Sequence, residues 1–137
     1  MLIKEFISET NKNQMISILL KHYKVGSVKV KQKSIKKDHA HFDVDTGTLE
    51  LSTRYKTIKS SQIKPFLITI IHEIRHAMDA KKYGWKKFKL DYEWEMNYQI
   101  SQDKDEYKDN KYEIEAEEFG QKNYRKWLQK FKKEGLI

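Results

Sequence analysis

Two histidines and a glutamate stand together at His72-Glu73-Ile74-Arg75-His76, the pattern HExxH. Their types suit metal chemistry, because imidazole nitrogen binds zinc well and a carboxylate beside a metal can carry a proton. Spacing matters as much as type. On a helix four residues advance by about 400°, so both imidazoles leave one face, one turn apart, and can reach one ion. Glu73 points about 100° from His72, which places it beside that ion. Zinc with three protein ligands keeps a fourth position for water and lowers that water's pKa to about 7. A neighbouring carboxylate can take the proton as water attacks a carbonyl, then give it to the leaving amine. The chain has no cysteine, so a thiolate site is excluded and any metal must use His, Asp or Glu.

HExxH alone is a moderate signal, since so short a pattern also arises by chance. Its setting sharpens it. Ile70, Ile71, Ile74, Ala77 and Met78 flank the motif, and burying two histidines and a glutamate among them is costly unless something satisfies them. A third ligand is therefore expected. The continuation HExxHxxGxxH is excluded, because Asp79 and Lys82 occupy the relevant positions. Asp79 shares the histidine face but has poor reach to the same ion, so it is expected as a hydrogen-bond partner of a histidine, if it is not simply exposed. A better source lies near the C-terminus. With Glu113 at 0° on a helix, Ala116, Glu117, Gly120, Tyr124, Trp127, Leu128 and Phe131 all fall within roughly 60° of it. Glu113 is the first choice of third ligand and Glu117 the second. Both would also suit a helix start simply as carboxylates near its dipole. Ala116 and Gly120 on the same face would let that helix come close to another.

These residues need elements to hold them. Met15, Ile16, Leu19, Leu20 and Tyr23 recur at helical spacing, so a first helix is expected from about Asn11 to Tyr23, capped by Thr10 or Asn11. Residues 2–7 are apolar enough for a short strand. Alternating residues around Val28 and Val30, Ala40 to Val44, and Leu49 to Leu51 predict a small antiparallel sheet of three or four strands at about 27–55. Thr46-Gly47 makes one turn and Lys36-Lys37-Asp38 another. Pro65 opens the HExxH helix, expected at about 65–83 with Gly84 as its stop. Residues 85–109 are aromatic, acidic and poorly periodic, and a long connection of that kind is often functional. A C-terminal glutamate helix follows at about 112–132. The expectation is one α+β domain over residues 1–137.

Composition narrows the function classes. No apolar run approaches the ~20 residues that cross a bilayer, and the acids near Met1 do not suit a signal peptide. A cytoplasmic location is expected. The formal charge is +8, yet residues 91–118 hold eleven acids against three lysines, net −8, leaving +16 on the remainder. Only Arg54, Arg75 and Arg125 are arginines among the 28 basic residues, and bidentate phosphate recognition favours arginine. Nucleic acid is not the expected partner. His39 and His41 alternate on one strand face and could bind a second metal, though strand-edge histidines beside Asp43 and Asp45 are usually solvated. Tyr92, Trp94, Tyr98, Tyr107 and Tyr112 could line a substrate cleft, supply a phenol to an oxyanion, or only cover the core.

HExxH on one helix and Glu113-Ile-Glu-Ala116-Glu-Glu-Phe119-Gly on the next resemble a gluzincin-type metallopeptidase, in particular the ImmA/IrrE family, whose glutamate ligand opens a comparable helix. The likeness covers residues 66–80 and 112–121 and extends to the order of elements. It implies a zincin-like fold, Zn2+ held by His72, His76 and Glu113, peptide-bond hydrolysis with Glu73 as general base, and a peptide or protein substrate. Small stand-alone proteins of this kind are frequent in phages and mobile elements, a family-level analogy. The segment following the glutamate motif departs from that family, with Asn123-Tyr-Arg-Lys-Trp in its place, and residues 91–110 have no counterpart. Two other functions compete with a zinc peptidase: a non-catalytic zincin-fold binding protein whose metal is structural or lost, and a Lys-rich nucleic-acid accessory protein.

Overall fold

The three helices read from the sequence and a fourth between them pack with two small sheets in the computed structural model, which describes residues 5–35 and 40–137. Helix α1 (Glu9–His22) starts two residues earlier than expected. Ser8 is its cap, its hydroxyl accepting the N–H of Asn11 at 3.1 Å. Met15, Ile16, Leu19 and Leu20 face the core as their spacing predicts. Lys12 is also buried, and burial lowers its pKa. Its Nζ donates to the carbonyls of Tyr55 and Lys56, both at 2.9 Å, which ties α1 to the chain just beyond the sheet.

Strands β1 (Phe6–Ile7) and β5 (Ile58–Lys59) pair antiparallel. The remaining strands, β2 (Lys29–Lys33), β3 (Ala40–Asp43) and β4 (Thr48–Ser52), form a sheet in the order β2-β4-β3. The expected all-antiparallel sheet is instead mixed. β3 and β4 form the antiparallel hairpin, with Gly47 at φ +67 and its N–H bonded to Asp43 O at 2.9 Å. β2 runs parallel to β4 on its other side, Lys31 facing Glu50. Burial explains the order: β4 is buried at all five residues and takes the centre, whereas β2 is exposed at all five and can only be an edge. The expected turn at Lys36-Lys37-Asp38 lies outside the described residues, as does His39.

Helix α2 (Ile63–Tyr83) carries HExxH, with Pro65 in its first turn and Gly84, at φ +91, directly after it. Phe66, Leu67, Ile70, Ile71 and Ile74 are buried, each burial stabilising by about 1.5–3 kcal/mol. Helix α3 (Trp85–Ser101) occupies the region that showed no clear period. Its periodicity was hidden because it carries two apolar stripes. Phe88, Tyr92 and Met96 follow one line at i, i+4, i+8, and Leu90, Trp94 and Tyr98 follow another about 200° round the helix. Superposed, the two stripes cancel the amphipathic signal. Helix α4 (Lys111–Lys133) is amphipathic as expected, burying Glu113, Ala116, Gly120, Tyr124, Trp127 and Phe131. No helix among the described residues is long and apolar enough to cross a membrane.

The α2–α4 packing sets the distance between HExxH and the glutamate helix. A Cβ added to Gly120 would lie 2.7 Å from the carbonyl oxygen of Ile68. A methyl group cannot fit against backbone there. Gly120→Ala should force the helices apart and cost about 1–3 kcal/mol, read as a lower midpoint in urea unfolding with an unchanged slope.

Candidate metal centre

Helix geometry brings the two imidazoles together as the spacing predicts. The rings of His72 and His76 are edge-to-face with centroids 5.1 Å apart, and both residues are buried. Glu73 is buried beside them, and burial raises its pKa. The ligating atoms of His72, Glu73 and His76 lie within 4.8 Å of one another.

Glu113 completes the group from α4. Its Oε1 lies 3.0 Å from His72 Nε2 and also meets His76 Nε2 at short range. Two features hold it there. Glu113 stands in the first turn of α4, where the helix dipole favours a carboxylate. The start of that helix is itself pinned: buried Asn110 accepts from Tyr112 N at 2.9 Å, and Glu95 of α3 accepts from Lys111 N at 2.8 Å. The other oxygen of Glu113 accepts the Tyr92 hydroxyl at 2.7 Å. Tyr92 thereby acts on the centre through the carboxylate. The sequence offered it only as a cleft-lining aromatic or a phenol for an oxyanion, and its spacing from Phe88 and Met96 was the signal obscured by the second stripe.

Glu117, the second choice of third ligand, sits elsewhere. Its Oε2 is 2.9 Å from His72 Nδ1, on the far side of the ring, and its side chain is half exposed. It takes the place expected for Asp79. Asp79 instead accepts from Arg75 Nε at 3.3 Å, and its buried Oδ2 has no partner. Of the two expectations for Asp79, a histidine partner or an exposed carboxylate, the structure shows neither: it is buried and bonded to Arg75, four residues earlier on the same helix. His76 Nδ1 is likewise buried without a partner.

The proton inventory shows what this donor set fits. An ionised carboxylate only accepts, so Glu117 requires the proton of His72 on Nδ1. The lone pair of Nε2 then faces Glu113 Oε1, another acceptor, at 3.0 Å. Two acceptors face each other stably only with a cation between them. In the metal-free protein that cation is a second proton. Burial works against it, but the hydrogen bond to Glu113 and the charges of Glu73 and Glu113 raise the His72 pKa to about 9. For Glu113, burial alone would favour the neutral acid, yet its bonds to His72 and His76 hold it well below the ordinary carboxylate range. Burial and the adjacent Glu113 charge push the Tyr92 phenol far above its usual value, so it remains a donor. Two imidazole nitrogens and one carboxylate oxygen, buried and converging, also match the ligand types of a catalytic zinc site.

The centre opens onto a cleft of about 360 Å³, whose walls include His41 and Phe42 of edge strand β3, Phe88 and Tyr92 of α3, and Tyr107. Glu73 and His76 are at its base. His41 stands at the rim, its Nε2 2.6 Å from Glu50 Oε1, with side chain half exposed. The described residues contain no cluster joining His41 to a second metal site. No protein-family model matches the chain, and no curated protein or solved structure matches it significantly.

Carboxylates and phenols that orient metal ligands typically contribute 10–100-fold to metal affinity. Glu117→Ala and Tyr92→Phe should each weaken zinc binding by about that factor, measured by competition with a chromogenic chelator. Asp79→Asn, whose carboxylate serves Arg75, should leave the affinity within about twofold of wild type.

Proposed function

We propose that the chain is a zinc-dependent hydrolase of the zincin type that cleaves peptide bonds. The observation that carries the reading is Glu113 Oε1, which faces the Nε2 atoms of both HExxH histidines from a separate helix. His72, His76 and Glu113 would hold the metal. Zinc, when bound, supplies a water of pKa about 7 and polarises a carbonyl.

The protein's own groups account for the rest. Glu73 is next to the ligands, and burial favours its accepting a proton. It takes a proton from the attacking water and delivers it to the departing amine nitrogen as the C–N bond breaks. Tyr92 fixes one oxygen of Glu113 and so directs the other toward the histidines. Glu117 fixes the tautomer of His72. The aromatic side chains of the cleft exclude water from around the scissile bond and accept an apolar side chain of the substrate. The ImmA/IrrE-like pattern of residues 112–121 supports the same assignment of ligands.

Purified protein should contain about one zinc per chain, removed by chelation and restored by added zinc. Glu73→Gln should keep that stoichiometry and the thermal stability while losing at least ~1000-fold of turnover on a fluorogenic casein substrate. Zinc-loaded wild type without turnover would instead favour the non-catalytic binding protein, and absence of zinc would remove the hydrolase reading.

A further inference from the structure

Helix α3 is apolar on two opposite faces, and only one is explained by the cleft. Phe88, Tyr92 and Met96 line the cleft. The outer line, Leu90, Trp94 and Tyr98, is 56%, 64% and 45% exposed, and Ile100 at the helix end is 51% exposed. Large exposed apolar side chains are ordinary when scattered, but here they concentrate on a single helix. Trp94 and Tyr98 are also pre-ordered: their rings stack at 5.4 Å with planes 5° apart, forming one flat apolar plate. Tryptophan and tyrosine in such a position are the residue types that anchor interfaces.

We propose that this face is the self-association surface of the protein, two copies pairing antiparallel along α3 about a twofold axis at Trp94. Three observations select a second copy. The stripe is palindromic in register, since an antiparallel partner centred on Trp94 sets Leu90 against Tyr98 of the other copy and Trp94 against its equivalent. Charge is complementary in that orientation alone. Lys86 and Lys87 begin the helix, while Asp103, Asp105 and Glu106 follow its end with only Lys104 among them, so opposite charges meet at both ends of the pair. The acids near the centre do not oppose this pairing: Glu93 lines the cleft, Glu95 is buried and accepts from Lys111 N, and Asp91 is paired with Lys87 at 2.8 Å. An anionic membrane or nucleic acid would suit this face poorly, because residues 91–118 carry net −8. A 17-residue helix is about 25 Å long. That length limits the buried area to the small end of specific interfaces, so the association is reversible.

Sedimentation equilibrium of the full chain from about 1 to 300 µM tests this. The mass should rise from 16.6 kDa toward twice that value. Trp94→Glu should weaken association by at least 100-fold while leaving the far-UV spectrum unchanged, because the side chain is two-thirds exposed. Lys86→Glu/Lys87→Glu should also stay monomeric, as should Asp103→Lys/Glu106→Lys, whereas an equimolar mixture of these two variants should dimerise. A wild type that remains monomeric at 300 µM overturns the proposal. So does a dimer indifferent to Trp94→Glu, or a mixture that fails to associate. Binding of monomeric wild type to anionic vesicles through Trp94 would overturn it in favour of a lipid surface.

Discussion

A single carboxylate oxygen constrains the architecture. Glu113 Oε1 must face two imidazole nitrogens one turn apart on α2, and it does so from a helix that begins 35 residues after His76 in the chain. Side chains of that length allow little slack, so the backbones must be close. Gly120 meets this requirement against Ile68, and Asn110 and Glu95 set the start of α4. Burial then makes the arrangement electrostatically demanding. A desolvated carboxylate among neutral rings is unstable, and it is held only because cations, as protons or metal, share the space.

Much of this was legible in the sequence because the relevant signals are local. HExxH fixes the relative direction of three side chains once its helix is known, and the apolar residues around Ile70 and Ile74 identify that helix. Glu113 was found through the buried stripe it shares with Gly120, Tyr124, Trp127 and Phe131. The same reasoning could rank Glu113 above Glu117 but could not divide their tasks. Both lie within one helical face, and which side of a ring each meets depends on the depth of the α2–α4 approach.

The failures have equally specific causes. Asp79 was expected, on facing alone, either at a histidine or exposed, yet it is buried and Arg75 on the same ridge takes one of its oxygens. The sheet was read as antiparallel because alternation reports which face a residue takes and carries no information on strand direction. Helix α3 escaped notice because periodicity analysis detects one apolar face, and this helix has two. Tyr92 was hidden with it, so the side chain that fixes Glu113 was obscured along with its helix.

Glu95 and Tyr92 give α3 a second consequence. Through them one wall of the cleft is bonded both to the first turn of α4 and to the carboxylate that faces the histidines. Wall and carboxylate are therefore mechanically one body: a displacement of α3 shifts Glu113 against the two imidazoles. Any cation that preferred one position of that carboxylate would bias the wall, and any molecule that preferred one position of the wall would bias the carboxylate by the same free energy.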